Sequence, residues 1–210
     1  MSITIPLFPL SRALFPDGML HLQIFEPRYL DLIKRCWREQ APFGVVGLSK
    51  GREVQTPGDE PQFFSMGCLA HIRSYTEVQP ALLSIVCQGG LRFELNQSRP
   101  GPYGVWQGQV THLPADPEVP VPPELQHMAD RIGRVIARAQ EQKVIDRLPI
   151  FAPYALDQCG WVANRYAEAM PIDRDLAFVA LDEAQLAEVY LAAARAALAR
   201  ASELARQLSS

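Results

Sequence analysis

A run of prolines between residues 114 and 123 constrains this chain more than any other sequence feature. Five of these ten positions are proline: Pro114, Pro117, Pro120, Pro122 and Pro123. Proline lacks a backbone N–H and fixes φ, so neither a helix interior nor a central strand tolerates such a run. The apolar pattern also changes here from a strand period to a helix period. We therefore predict a strand-rich domain over residues 1–115, a linker over 116–123 and a helical domain over 124–210.

The first domain is predicted to consist mainly of β-strands. Short apolar or alternating segments bounded by glycine, proline and polar residues indicate strands. Gly89 and Gly90 stand between two of these segments, which predicts a hairpin at that point. The predicted strands are Ile3–Phe8, Met19–Ile24, Phe43–Leu48, Phe63–Ile72, Leu82–Gln88, Leu91–Leu95 and Gly104–Leu113.

One helix interrupts the predicted strands, from about Pro27 to Arg38. Proline suits the first helical position, where its missing N–H has no partner to lose. Leu30, Ile33 and Trp37 recur at helical spacing, so we expect this stripe to be buried. Many strands with one helix suggest a small closed barrel, because closure removes exposed strand edges.

The second domain is predicted to be helical. Apolar residues from Leu125 to Ala139 recur at helical spacing, and a second helix is predicted over Tyr154–Met170, before Pro171. Asp182 and Gln185 form a capping-box pair ahead of an apolar stripe that reaches Leu208. The predicted fold class is therefore α+β, with a strand domain followed by a helical subdomain.

Composition excludes several classes of protein. The formal net charge is −3, from 20 basic and 23 acidic residues, which gives no general attraction to nucleic acid or to anionic membranes. No basic leader with an apolar run and no membrane-spanning segment is present in the sequence. The four cysteines form no C-x-x-C pair, so free buried thiols in a reducing cytoplasm are expected.

Several short motifs, taken in order, resemble the N-terminal domain of Lon protease. In the strand half they lie at residues 5–10 (IPLFPL), 14–16 (LFP), 20–29 (LHLQIFEPRY), 43–46 (FGVV), 66–70 (MGCLA) and 90–93 (GLRF). In the helical half, Ala163-Asn164 followed by Pro171-Ile172 resembles the later signature of the family. The chain departs from the family near Asp173–Leu181, where a Lys-Gln pair is common.

The resemblance implies a PUA-like β-barrel, or pseudobarrel, followed by a helical subdomain. It also implies that the protein holds polypeptide substrates or a protein partner as an adaptor, a regulator or a weak holdase. Because the sequence ends at Ser210, we expect a stand-alone binding module without the ATPase and peptidase of Lon protease.

The residues themselves predict no enzyme. A P-loop needs Gly-x-x-x-x-Gly-Lys-Ser/Thr, and the nearest segment, Gly47–Gly51, has the wrong spacing. No serine and lysine suggest a peptidase dyad, and no Cys, His and carboxylate set has the spacing of a metal site. We therefore expect no catalytic residue, no cofactor and no metal, and neither ATP hydrolysis nor peptide cleavage. A hydrolase with an unrecognised site is the weaker alternative.

The candidate partner-binding residues surround the start of the first helix. Phe15, Phe25 and Tyr29 supply apolar surface, and Glu26 and Arg28 supply a polar frame. The competing interpretation is structural: Glu26 favours the positive end of the helix dipole, and Arg28 pairs with a nearby carboxylate or carbonyl.

A PUA-like barrel also raises the alternative of RNA binding. Arg73, Arg92 and Arg99, with Tyr75 and Phe93, would then share one face. RNA-binding domains usually show a basic excess, and this chain is acidic overall, so nucleic acid is disfavoured as a partner.

Overall fold

The structure, a computed structural model, describes residues 2–53, 60–116, 118–148 and 150–168. The predicted helix from Asp182 to Leu208 lies outside the described residues, as does the segment Asp173–Leu181. The chain divides into two compact units, one ending at Ala115 and one beginning at Asp116. We call them unit one and unit two.

Unit one is a curled sheet of six strands with one helix. The strands are β1 (Ser2–Leu10), β2 (Met19–Ile24), β3 (Phe43–Lys50), β4 (Gln62–Gln79), β5 (Leu82–Pro100) and β6 (Trp106–His112), and helix α1 spans Pro27–Glu39. The strand order is β2-β5-β4-β3-β1-β6, and β6 also pairs with β5. Five strands therefore form a ring, and β2 pairs with β5 alongside it. The pairing of β1 with β3 is parallel, and the other pairings are antiparallel.

Two apolar clusters hold unit one together. The first joins α1 to the sheet, and strand alternation accounts for part of it: Leu20, Leu22 and Ile24 of β2 are buried, whereas His21 and Gln23 are exposed. The second contains Phe93, which is fully buried, together with Leu7, Val46 and Val110. A Cβ atom added at Gly67 would lie 2.3 Å from Phe93 Cζ, so this glycine makes room for the ring.

The predicted hairpin at Gly89 and Gly90 is wrong. Strand β5 continues through both glycines, and the chain reverses earlier, between Gln79 and Leu82. A Cβ atom at Gly89 would lie 1.9 Å from the carbonyl oxygen of Phe15. The loop before β2 bonds to the same glycine, because Asp17 N donates to Gly89 O (2.9 Å) and Gly89 N donates to Gly18 O (2.9 Å). Glycine is needed at position 89 because the backbone at Phe15 approaches it closely, and the chain does not turn there.

Helix α1 agrees with the prediction in its bounds but is rotated relative to the predicted stripe. Ile33 is fully buried, as expected, whereas Leu30 and Trp37 lie half-buried at the margin of the helix face. The buried face is completed by Tyr29, Leu32 and Cys36. Trp37 stacks on Tyr75 of β4, with ring centroids 5.7 Å apart and an interplanar angle of 8°.

The described part of unit two contains two helices, α2 (Gln126–Glu141) and α3 (Cys159–Glu168). They share a core of Met128, Ala129 and Ile136 with Trp161, Val162 and Tyr166. Tyr166 Oη donates a hydrogen bond to Met128 O (2.8 Å), which ties the two helices together.

Helix α3 begins later than the predicted start at Tyr154. Val121 N donates to Asp157 O (3.0 Å), and Cys159 N donates to Val119 O (2.8 Å). Residues 157–159 therefore pair with part of the proline-rich segment instead of joining the helix.

In the residues that the structure describes, no helix is long and apolar enough to cross a membrane.

Candidate functional site

Glu26 ends the extended chain that leads into α1. Its φ of −74° and ψ of 128° are extended, and its carbonyl accepts the first helical bonds, from Tyr29 N (2.9 Å) and Leu30 N (3.0 Å). Its side chain makes no capping bond to the helix. The Glu26 carboxylate bonds to another partner instead.

That partner is Arg28. Glu26 Oε2 accepts from Arg28 Nη2 (2.8 Å) and from Arg28 Nε (3.1 Å), and the arginine side chain is only 12% exposed. Arg28 Nη1 also donates to Gly104 O (3.2 Å), 76 residues along the chain. The guanidinium thus links the start of α1 to the turn before β6, which agrees with the structural interpretation of these charges.

Tyr29 lies under this ion pair and is buried. The Arg28 guanidinium carbon lies 4.6 Å from the centroid of the Tyr29 ring, and the Phe8 ring lies 4.2 Å from it, centroid to centroid. Burial raises the pKa of Tyr29 to about 12, although the charge of Arg28 opposes the shift. Tyr29 supports the site from below, because its ring is not accessible to a partner.

The other two predicted residues lie at opposite ends of β2. Phe25 follows the strand, beside Glu26, and is 56% exposed. Phe15 precedes the strand, is half-buried, and has its carbonyl oxygen against Gly89. Six residues of strand span roughly 17 Å or more. The structure therefore brings Phe25, Glu26, Arg28 and Tyr29 together and places Phe15 elsewhere.

Tyr103 is a candidate residue that the sequence analysis missed. It is 87% exposed and belongs to the short turn Pro102–Gly104, whose last carbonyl accepts from Arg28. Its φ of 59° is left-handed, a conformation that bulky residues adopt at a cost. The signal in the sequence was Gly-Pro-Tyr-Gly at 101–104, an aromatic residue within a strong turn pattern. Phe25 is thus next to Glu26 and Tyr103 is next to Gly104, and both Glu26 and Gly104 accept hydrogen bonds from Arg28. We call Phe25, Tyr103, Glu26 and Arg28 the aromatic patch.

A shallow depression lies behind the aromatic patch. Arg28 and Tyr29 contribute to its wall, together with Pro9, Leu48, Arg52 and Trp106. Its empty space is about 190 Å³ with open solvent included, so the depression is small.

The residues considered for RNA binding do not form a common exposed face. Phe93 is fully buried in the second core cluster, so its ring is unavailable for base stacking. Tyr75 is half-buried against Trp37, and Arg73 Nε donates to Gln88 Oε1 (2.8 Å). The face considered for the disfavoured RNA-binding alternative therefore fails at Phe93.

The cysteines are free thiols, as predicted. Cys36, Cys68 and Cys87 are buried, and Cys159 is half-buried. Burial raises the pKa of Cys36 to about 11 and that of Cys87 to about 12. Over the residues that the structure describes, no three His, Cys, Asp or Glu side chains form a metal-ligand cluster.

Comparison with known proteins gives a consistent result. The family model of the ATP-dependent protease La (LON) substrate-binding domain matches residues 4–201. The Lon protease of Parabacteroides distasonis is 32% identical over 112 residues, which are 52% of this chain and 13% of that protein. The chain thus matches only a small fraction of that relative's length.

Two solved structures are similar to this chain over most of its length. A crystal structure of a Lon N-terminal domain protein from Xanthomonas campestris has a TM-score of 0.60 and 26% identity, covering 90% of this chain and 98% of that one. The N-terminal domain of the Mycobacterium avium complex Lon protease has a TM-score of 0.52 and 14% identity, covering 91% and 98%, and this likeness concerns the fold alone. Because the family model matches nearly the whole sequence, the chain belongs to the family of the Lon substrate-binding domain.

Proposed function

We propose that this chain is a non-catalytic Lon-type module that binds unfolded polypeptide segments, as an adaptor or weak holdase. In this proposal unit one, a PUA-like barrel in its finer description, provides the binding surface. The family supports a substrate-binding role.

The observation that most supports polypeptide as the substrate is the aromatic patch. Phe25 and Tyr103 expose large apolar surfaces beside an ion pair that is itself held in place. Rigid aromatic side chains of this kind provide much of the energy at protein-binding surfaces. The bonds from Arg28 to Glu26 and Gly104 fix the backbone around both aromatic residues, so little order must be imposed on binding.

Binding is expected to be weak and independent of nucleotide. In this proposal no ATP-driven step acts on the client, so release depends on the dissociation rate alone. A dissociation constant in the micromolar range or weaker follows, on the order of −8 kcal/mol at most. The small net charge of −3 predicts only a mild dependence on salt.

The test is a titration of the intact chain into a labelled, permanently unfolded protein, such as reduced and carboxymethylated lactalbumin, followed by fluorescence anisotropy. The double variant Phe25→Ser with Tyr103→Ser should bind about tenfold more weakly, since two exposed aromatic anchors are removed. Val78→Ser is the matched control, because Val78 is also exposed (53%) but lies near the β4–β5 turn.

The outcomes are distinct. Equal loss of affinity in the double variant and in Val78→Ser would contradict the aromatic patch as the binding surface. A chain that binds a structured RNA but no unfolded protein at high micromolar concentration would replace the polypeptide proposal with RNA binding.

A further inference from the structure

The outer edge of strand β2 is unpaired in the described part of the chain. β2 pairs with β5 from Met19 opposite Gln88 to Ile24 opposite Leu83, without a register shift. Among the described strands it has no second neighbour. As far as the structure describes the chain, one side of the β2 backbone therefore has room for an additional strand.

The pairing shows which residues of β2 point their backbone groups outward. In an antiparallel pair, residues alternate between those that exchange hydrogen bonds with the neighbour and those that do not. Gly89 N donates to Gly18 O, so even-numbered residues bond towards β5. The odd-numbered residues should then point their backbone groups away from β5. His21 does so, because its carbonyl oxygen accepts a hydrogen bond from Arg12 Nη2 (3.1 Å) outside the sheet. The N–H and C=O groups of Met19, His21 and Gln23 therefore face the open edge.

This edge lacks most of the features that protect natural edge strands. Proteins usually place proline, charged side chains or a bulge at such an edge, because unpaired backbone groups are a template for strand addition. The sequence of β2, Met-Leu-His-Leu-Gln-Ile, contains neither proline nor a lysine, arginine or carboxylate, and its register is regular. Within the described residues, the bond from Arg12 is the only one that covers this edge.

We propose that an extended segment of the unfolded client adds to β2 as a further antiparallel or parallel strand and displaces Arg12 from the His21 carbonyl. This inference rests on the proposed function and names how the client is held. A row of alternating N–H and C=O groups is complementary to another polypeptide backbone, and it tolerates many side-chain sequences. The edge is also continuous with the aromatic patch, because Phe25 directly follows Ile24, so one extended segment reaches both.

The first experiment changes the ligand and leaves the protein intact. The probe is an eight-residue peptide of alternating valine and threonine with lysine at both ends. The control peptide has the same side chains but carries esters in place of the four central amides. The esters remove N–H donors and keep the side chains. Because about two hydrogen bonds to β2 are then lost, the ester peptide should bind on the order of tenfold more weakly than the amide peptide. Equal affinity of the two peptides would overturn strand addition.

The second experiment changes the edge. Gln23→Pro removes an outward N–H but no bond of the β2–β5 ladder, whereas Gln23→Ala keeps the N–H and serves as the matched control. We expect Gln23→Pro to weaken binding of the amide peptide several-fold and Gln23→Ala to leave it unchanged. Arg12→Ala should strengthen binding, because it uncovers the His21 carbonyl. If Gln23→Pro does not fold, the amide and ester peptides decide the question on the unmodified chain.

The two proposals fail in different ways. Unchanged binding of the unfolded protein by Gln23→Pro, with loss in the Phe25 and Tyr103 double variant, overturns the edge proposal and leaves the proposed function standing. Absence of binding to both the unfolded protein and the amide peptide overturns both.

Discussion

Replacing Gly89 by alanine tests the contact that makes β5 one continuous strand. The added Cβ atom would lie 1.9 Å from the Phe15 carbonyl oxygen and 2.8 Å from its carbonyl carbon. Both are backbone atoms, so the loop before β2 must move by about 1 Å to relieve the overlap. That movement strains the bonds from Asp17 N to Gly89 O and from Gly89 N to Gly18 O.

The expected cost follows from three contributions. Overpacking against backbone costs about 1–3 kcal/mol. Weakening two backbone hydrogen bonds costs about 0.5–1.5 kcal/mol for each bond that is lost. Alanine in a strand interior regains about 0.5–1 kcal/mol relative to glycine. The free energy of unfolding should therefore fall by about 2–3 kcal/mol.

The neighbouring position is the matched control. A Cβ atom at Gly90 would lie 2.7 Å from His71 Nε2 and 2.8 Å from His71 Cδ2. These atoms belong to the far end of a side chain that rotates away, so Gly90→Ala should change stability by less than about 1 kcal/mol. The structural reason for the difference is that one glycine faces backbone and the other faces a movable ring.

The assay is urea unfolding followed by circular dichroism, with both variants beside the unchanged chain. A urea dependence of about 2 kcal/mol per molar converts the expected loss at Gly89→Ala into a midpoint lower by about 1 M. If Gly89→Ala matches the unchanged chain, or Gly90→Ala is the more destabilised of the two, the account of these glycines is wrong.

Three further predictions concern packing and ionisation in the same molecule. Trp37→Ala should lower the free energy of unfolding, measured in urea, by about 2 kcal/mol, because Trp37 is only half-buried against Tyr75. Ile33→Ala should lower it by roughly 3–4 kcal/mol, because Ile33 is fully buried. Equal losses would contradict the rotated helix face. The Tyr29 pKa of about 12 lies above its unfolded value near 10, so the stability that this hydroxyl contributes is present below pH 10 and is lost as the pH rises towards 12. Between pH 10 and 12, the free energy of unfolding of Tyr29→Phe should therefore fall by up to about 2 kcal/mol less than that of the unchanged chain. Parallel pH profiles of the two proteins would refute the shift. Maleimide labelling with mass spectrometry at pH 8 should modify Cys159 first and the three buried thiols only after unfolding, and fast labelling of Cys87 would disagree with its burial.

The sequence by itself determined where most elements of unit one lie. β2 has the predicted bounds, and α1 begins at Pro27 as the first-position preference of proline predicts. Motif order alone also led to the Lon substrate-binding family. These features were accessible because propensity, periodicity and short motifs depend on residues close together in the chain.

Local pattern failed where distant residues decided the outcome. Gly89 and Gly90 carry the composition of a hairpin turn, but the strand continues because the Phe15 loop, some 70 residues earlier, requires a residue without a side chain there. The helix predicted from Tyr154 starts at Cys159, because the preceding residues pair with Val119 and Val121.

The candidate site was determined only in part by the sequence. The sequence placed Phe25, Glu26, Arg28 and Tyr29 together because they are consecutive or nearly so, and it could not tell the exposed ring of Phe25 from the buried ring of Tyr29. Tertiary structure brought Gly104 and Tyr103 to Arg28 across 76 residues, and it gave the outer edge of β2 no neighbour among the described strands. Burial, long-range hydrogen bonds and open edges depend on which distant segments meet, and a one-dimensional pattern does not encode that.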